Sequence, residues 1–325
     1  MRAIQVAEFG GPEVLRPVET DVPEPGAGEV AIDVAYAGVN FAEIKARRSG
    51  YRGPILPFTP GLEVSGRVRA LGPGVTDLTV GQEVAAFIAG GGYAEVALAP
   101  ATTVFPVPAV LSLRTAATLP TVLPTAHALV HEVGRLRAGE SVLVRGAAGG
   151  VGTVVGQLAR RVGDGAVYGV VSSAAKVDFA LKHGYDQVFV GDDWERQLAA
   201  ATGGRGVDLL LDPIGGEQLR HSLRSLAPFG RVVNYGNAGE GAVWHFGAAE
   251  LGPGAWSVAF FSILTLAVEQ PEELRDVSAR AFRLVADGAV ELPVTAELPL
   301  AEAAEAHRLM ESRATTGKLL LRVDA

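Results

Sequence analysis

The sequence predicts an α/β protein that joins a doubly wound parallel sheet to a mainly antiparallel β domain. Three observations predict it: a length of 325 residues, a change of pattern near residue 122, and one glycine-rich turn between a strand and a helix. A chain this long exceeds one ordinary core, so two domains are expected.

The first 120 residues read as short strands separated by turn chemistry. Residues 1–6 alternate like a strand, and residues 30–36 form another apolar run. Residues 64–71 alternate apolar and polar and stop at Gly72-Pro73-Gly74. Residues 81–87 follow, then Gly90-Gly91-Gly92-Tyr93 turns into residues 94–98. Many short strands punctuated by Gly and Pro suggest an antiparallel barrel or sandwich. From Ser141 strands at 141–145, 166–171, 187–190, 207–212, 230–235 and 256–261 alternate with helical patterns at 151–163, 174–184, 193–202 and 215–227. Strands with helical crossovers make a doubly wound nucleotide-binding sheet. Helices at 271–287 and 301–313 and a strand at 318–323 complete the chain.

Composition narrows the function. Hydrophobic residues make up 48% and charged residues 20%, a soluble globular profile. A net charge of -8 argues against nucleic acid as the main partner, because phosphate binding needs a basic surface. With no cysteine, disulfides, thiolate zinc sites and a cysteine nucleophile are excluded. The N-terminus lacks the apolar run of a signal peptide, and the nearest apolar window, 256–268, is too short to cross a bilayer. A cytoplasmic protein without a membrane partner is expected.

The segment Ser141-Val142-Leu143-Val144-Arg145-Gly146-Ala147-Ala148-Gly149-Gly150-Val151-Gly152 runs a strand into a glycine-rich turn and a helix. Gly149 would admit a pyrophosphate to the backbone, and Gly152 would let the helix pack closely on the strand. N–H groups at the helix start, from Ala148 to Gly152, would hold the phosphates. Ala147 stands at the first glycine position of the usual fingerprint, and an ordinary strand-to-helix turn is the alternative. The next strand ends in Ser172-Ser173-Ala174-Ala175-Lys176, with no acid to bind ribose hydroxyls. Two hydroxyls and a lysine suit a 2'-phosphate, so NADPH is favoured over NADH; a solvated surface lysine is the alternative for Lys176. Asp178 is expected on the outer helix face.

With these motifs in hand, the chain resembles the zeta-crystallin-like quinone oxidoreductases of the medium-chain dehydrogenase/reductase family over its whole length. The likeness rests on Glu8-Phe9-Gly10-Gly11-Pro12-Glu13-Val14-Leu15, Ala37-Gly38-Val39-Asn40-Phe41 and Pro60-Gly61-Leu62-Glu63-Val64-Ser65-Gly66. Ala147 to Gly152, Tyr235-Gly236-Asn237 and Gly317-Lys318-Leu319-Leu320-Leu321 complete it. The resemblance implies a Rossmann sheet at 122–262, a GroES-like catalytic domain at 1–121 and 263–325, and an active site in the cleft between them. It also implies a homodimer, joined through the sixth strand of the cofactor domain. Zinc-dependent relatives place a cysteine and a histidine where this chain has Asn40 and Leu62, so no metal is expected.

The resemblance places Asn40 near the nicotinamide ribose, Thr125 toward the nicotinamide and Asn237, after Tyr235 and Gly236, on the cofactor side. Phe260 and Phe261 stand where relatives bind the carboxamide through backbone groups, and Lys318 joins the cofactor-binding set. Plain structure is the alternative for each. Relatives often carry Asn-Tyr after the third strand; here Gly191 stands near the tyrosine's place. Glu43 replaces a common aspartate.

The implied reaction is hydride transfer to an electron-poor acceptor, a quinone or an α,β-unsaturated carbonyl. Tyr51, with Asn40, is the candidate for direct involvement. His127 is a possible acid, although a packed histidine is the favoured reading. No catalytic acid is identified. The rivals are an enoyl reductase of a polyketide-like pathway and an NADPH-binding protein without turnover. Trp244, Phe246, Trp256, Phe260 and Phe261 could line a bulky-substrate pocket or simply pack a core.

Overall fold

The computed structural model describes every residue except 52, 240–244 and 324–325. The chain opens with β1 (Arg2–Val6) and β2 (Leu15–Glu19), paired antiparallel. Then come β3 (Glu29–Val39), α1 (Phe41–Ser49), β4 (Glu63–Leu71), β5 (Glu83–Phe87), β6 (Val96–Pro100) and β7 (Val104–Pro106). Two helices follow, α2 (Leu113–Ala116) and α3 (Leu119–His127).

The middle segment alternates β8 (Val142–Arg145), α4 (Gly150–Val162), β9 (Val167–Val171), α5 (Val177–Lys182), β10 (Gln187–Val190) and α6 (Trp194–Ala201). It continues through β11 (Val207–Asp212), α7 (Gly216–Ser222), β12 (Leu226–Asn234), α8 (Ala248–Leu251) and β13 (Ser257–Phe260). The last stretch adds α9 (Ile263–Glu269), α10 (Pro271–Ala286), β14 (Val294–Pro299), α11 (Ala303–Glu311) and β15 (Lys318–Arg322).

These elements form two compact units, one of Met1–Pro124 with Leu264–Ala325 and one of Thr125–Ile263. In the second unit six parallel strands lie in the order β10-β9-β8-β11-β12-β13. The order reverses between β8 and β11, the place where doubly wound sheets bind nucleotides. Val142 to Val144 and Leu209 to Leu211 are fully buried. A parallel sheet covered on both faces demands such continuous apolar strands, and this made them readable.

In the first unit the order is β14-β15-β3-β4-β5-β7, with β6 also on β3. All pairs are antiparallel except β14 with β15. The fold class is the α/β one expected, with a parallel Rossmann sheet and a mainly antiparallel GroES-like unit. β15 returns to the N-terminal strands, pairing Leu319 with Val39. The strand expected at 30–36 runs on to Val39 and leads into α1, a helix the strand-by-strand reading did not contain. Its start is set by Asn40 and Glu43, its end by Gly50 at φ 65. The helical pattern at 174–184 splits into a 3-10 turn at Ala174–Lys176 and α5. The one at 215–227 ends earlier, since β12 begins at Leu226.

Candidate cofactor and active site

β8 delivers its last side chain, Arg145, to the start of the glycine turn. Gly146 takes φ 70, which favours glycine, and Ala147 N–H donates to Val170 O at 3.0 Å. Gly149 caps α4, and the first bond of the helix ladder is Thr153 N–H to Gly149 O at 2.8 Å. The N–H groups of Gly150, Val151 and Gly152 precede that bond, so they have no acceptor within the helix. Ala148 is buried beneath them, and Gly149 is exposed.

The two glycines differ in surroundings. A Cβ on Gly152 would lie 2.4 Å from Gly146 O and 2.8 Å from Ala147 Cα, so this glycine is needed for packing. A Cβ on Gly149 would meet only Gly146 O, at 3.3 Å. The space before Gly149 is therefore not filled by the protein, and a cluster of forward-pointing N–H groups with open space suits a diphosphate.

After β9, Ser172 and Ser173 are exposed and Lys176 is half-buried. Burial lowers the Lys176 pKa below the ordinary lysine value. Asp178 is exposed on α5, as expected. Gly191 follows β10 at φ 74, and a Cβ there would meet nothing within 4 Å. That position offers no side chain to a phosphate.

At the strand-order reversal a buried ion pair joins β8 to β11. Arg145 Nη1 donates to Asp212 Oδ2 at 2.6 Å, and Nη2 to Gln218 Oε1 at 2.7 Å. Asp212 Oδ1 accepts from Ile214 N–H at 2.8 Å and Gly215 N–H at 2.6 Å, fixing the turn after β11. Asn234 donates through Nδ2 to Asp212 O at 2.9 Å. Tyr235 N–H also donates to Asp212 O at 2.9 Å, and burial with the nearby Asp212 charge raises its phenol pKa. A Cβ on Gly236 would lie 2.5 Å from Pro213 O, so the two loops touch. Asn237 is exposed beside Gly215. Phe260 ends β13, half exposed, and Phe261 is buried with its N–H committed to Asn234 O at 2.9 Å. A carboxamide would therefore have to meet another backbone group there. Phe246 and Trp256 pack on the core of this unit, which favours the packing reading for them. Trp244 lies outside the described residues.

In the first unit, three of the quoted motifs meet. Lys318 Nζ donates to Asn40 Oδ1 at 2.5 Å and pairs with Glu63. Asn40 Nδ2 donates to Glu63 Oε1 at 3.0 Å and Glu43 Oε1 at 3.3 Å. Glu43 also accepts from Asn40 N–H at 3.0 Å through Oε2 and from Leu62 N–H at 3.0 Å through Oε1. Glu63 Oε2 accepts from Thr121 N–H at 2.8 Å, in the first turn of α3. Glu43, Glu63 and Lys318 are all buried. Burial pushes the Glu43 carboxyl up to about 7, against the attraction of Lys318. Sequence reasoning passed over Glu43 as a small change and gave Glu63 no role. The spacing Asn40-x-x-Glu43 before a helix was the available signal for the first.

Tyr51 is not brought to this cluster. It follows the αL cap of α1, so the nine residues of that helix separate it from Asn40, roughly 14 Å of axial rise. Its ring lies 5.4 Å from Lys45 Nζ. Thr125 and His127 are both buried in α3. The His127 ring packs 4.5 Å from His131, consistent with the packed-histidine reading.

Comparison with known proteins agrees with this architecture. Residues 26–109 match a family described as alcohol dehydrogenase GroES-like domain, and residues 183–321 one described as zinc-binding dehydrogenase. A quinone oxidoreductase of Rattus norvegicus is 34% identical over 99% of this chain and 97% of its own length. Among solved structures, an Escherichia coli quinone oxidoreductase in complex with NADPH has a TM-score of 0.92 at 32% identity, covering 99% of this chain and 100% of that one. A mycobacterial protein in complex with NADPH has a TM-score of 0.92 at 36% identity, with 99% of each chain covered.

Proposed function

Because the chain belongs to the quinone oxidoreductase family of medium-chain dehydrogenases/reductases, we propose that it reduces quinones, with NADPH and without zinc. It is an NADPH-dependent oxidoreductase; the acceptor class and the independence from metal are the finer reading. Two observations support it, one within each unit. The turn at Gly149 to Gly152 presents N–H groups beside open space, and the position of a metal site is built from Asn40, Leu62 and Glu63.

NADPH supplies the hydride. The N–H groups of Gly150 to Gly152 hold its diphosphate, and Ser172, Ser173 and Lys176 hold the 2'-phosphate. Thr125, Tyr235, Gly236, Asn237, Phe260 and Phe261 complete the cofactor site, and Asn40 and Lys318 serve the nicotinamide half. Zinc does not fit. The chain has no cysteine, Leu62 has no ligand atom, and Glu63 is already held by Lys318, Asn40 and the Thr121 N–H. Without a Lewis acid, an isolated carbonyl stays unactivated, so the acceptor must carry its own conjugation; quinones and enones qualify, and simple ketones do not. Tyr51 is the remaining candidate beside the substrate. The edge strand β13, with Phe260 half exposed, is the surface assigned to a second copy of the chain.

The test is oxidation of NADPH at 340 nm with a quinone, an enone and a simple ketone, each with and without chelator. Quinone-dependent loss that chelator leaves unchanged is expected. Chelator-sensitive loss, or reduction of the ketone alone, would overturn the metal-free reading. A strong preference for the enone would replace the quinone by a conjugated carbonyl.

A further inference from the structure

Asn40 is held in one sense. Both hydrogens of its amide nitrogen point to carboxyl oxygens, at 3.0 Å to Glu63 and 3.3 Å to Glu43, while its oxygen takes the Lys318 ammonium at 2.5 Å. A carboxamide has two donors and an acceptor oxygen. With both donors committed, Asn40 can meet a ligand only as an acceptor. The two sides are enforced by charge, since a buried ammonium cannot face the amino group and a buried carboxylate cannot face the oxygen without large cost. The partners are themselves fixed. Glu63 is fully buried and also binds the Thr121 N–H, and Glu43 takes the Leu62 N–H and the Asn40 N–H.

We propose that Lys318, Glu63 and Glu43 are positioning residues that lock the Asn40 carboxamide as a pure acceptor, so that it binds a hydroxyl or amino hydrogen of the cofactor and never the carbonyl of the acceptor substrate. This rests on the reading that Asn40 serves the nicotinamide half of NADPH. It removes Asn40 from the groups that could polarise a quinone oxygen and gives Lys318 an indirect role, with its ammonium spent on Glu63 and Asn40. A carboxylate lock has a further consequence. Replacing Glu63 by glutamine leaves one acceptor oxygen where two are used, so its amino group must face either the Thr121 N–H or the Asn40 amino group.

The experiment measures binding of NADPH and of adenosine 2',5'-bisphosphate, which lacks the nicotinamide half. The proteins are wild type, Asn40→Ala, the charge-neutral pair Lys318→Met/Glu63→Gln, and the triple variant. Asn40→Ala and the pair are each expected to weaken NADPH about tenfold, as for one lost hydrogen bond, and to leave the bisphosphate unchanged. In the triple variant the loss should equal that of Asn40→Ala alone, because the network acts through that side chain. Losses that add, or a pair that binds NADPH as wild type does while Asn40→Ala does not, would overturn the proposal and leave the cofactor reading standing. An Asn40→Ala protein with unchanged NADPH affinity would instead overturn the reading of Asn40 on which the proposal rests. Should the pair fail to fold by circular dichroism, Glu43→Gln with and without Asn40→Ala gives the same test, with the same non-additive loss expected.

Discussion

Gly149 and Gly152 lie three residues apart in one turn, and the structure assigns them opposite sensitivities to alanine. At Gly152 the new Cβ would sit 2.4 Å from Gly146 O and 2.8 Å from Ala147 Cα, where ordinary contact begins at 3.4 Å. The shortfall is against backbone, which no side-chain rotation relieves, so α4 must shift from the turn. Overpacking of this kind costs about 1–3 kcal/mol, and removing a helical glycine returns roughly 0.4–1 kcal/mol. A net loss near 1–2 kcal/mol lowers the melting temperature by roughly 2–8 °C in a unit of this size. At Gly149, φ -80 and ψ 173 suit any L residue, and the single contact at 3.3 Å needs only a small adjustment. Gly149→Ala should melt within about 2 °C of wild type. Its methyl nevertheless enters the open space beside the turn that is proposed to take the diphosphate, so the Kd for NADPH should rise at least about tenfold, or 1.4 kcal/mol. Melting curves and fluorescence titration of both variants are sufficient. Wild-type NADPH affinity in Gly149→Ala would refute the phosphate assignment, and an unchanged melt in Gly152→Ala would refute the packing argument.

Three other outcomes follow from the same geometry. Lys176→Ala should weaken NADPH roughly 10- to 100-fold, the value of a hydrogen bond to a charged group, and leave NADH untouched; equal losses for both would place Lys176 outside the 2'-phosphate site. Gly38→Ala would put a Cβ 2.3 Å from Glu63 Oε1, displacing a carboxylate from its buried ion pair, and should cost about 3 kcal/mol or more; a melt like that of wild type would sink this. Glu43, raised to about 7 in the folded protein from an ordinary value of 4.5, holds its proton when the unfolded chain has lost it. Its folded form is therefore favoured below pH 4.5, and this contribution falls as pH rises to about 7. Glu43 faces Lys318 and Glu63, with Tyr93 also near, and desolvation outweighs the lysine. Relative to Glu43→Gln, wild type should lose roughly 2–3 kcal/mol between pH 5 and pH 8; a constant difference across that range would contradict the burial argument.

What was legible and what was not has a physical division. The parallel sheet was readable because strands buried on both faces must be apolar throughout, as at Val142 to Val144, and because glycine and proline mark their ends. α1 was hidden because Phe41-Ala42-Glu43-Ile44-Lys45-Ala46-Arg47-Arg48-Ser49 is too polar for a core-facing helix by pattern. Its buried face is made of Glu43, Ile44 and Arg47, two of them charged. Charged residues are expected at the surface unless paired, and pairing cannot be seen when the partners are far apart in sequence. Lys318 lies 278 positions from Asn40, and Glu63 lies 58 from Thr121.

The same register that hid these pairs explains why three separate motifs carry the family likeness. β15 pairs Leu319 with Val39, and β4 pairs Val64 with Ala37, so the residues just beyond each pair, Lys318, Asn40 and Glu63, converge at one end of three adjacent strands. Gly38 lies between the paired Ala37 and Val39 on β3 and leaves the room that the Glu63 carboxylate fills. A cysteine at Asn40 and a histidine at Leu62 would have turned this end of the sheet toward a metal; here its charge is a lysine held by Glu63 and Asn40. Such an ammonium is fixed and already neutralised, so it can orient a neighbouring amide but cannot polarise a distant carbonyl.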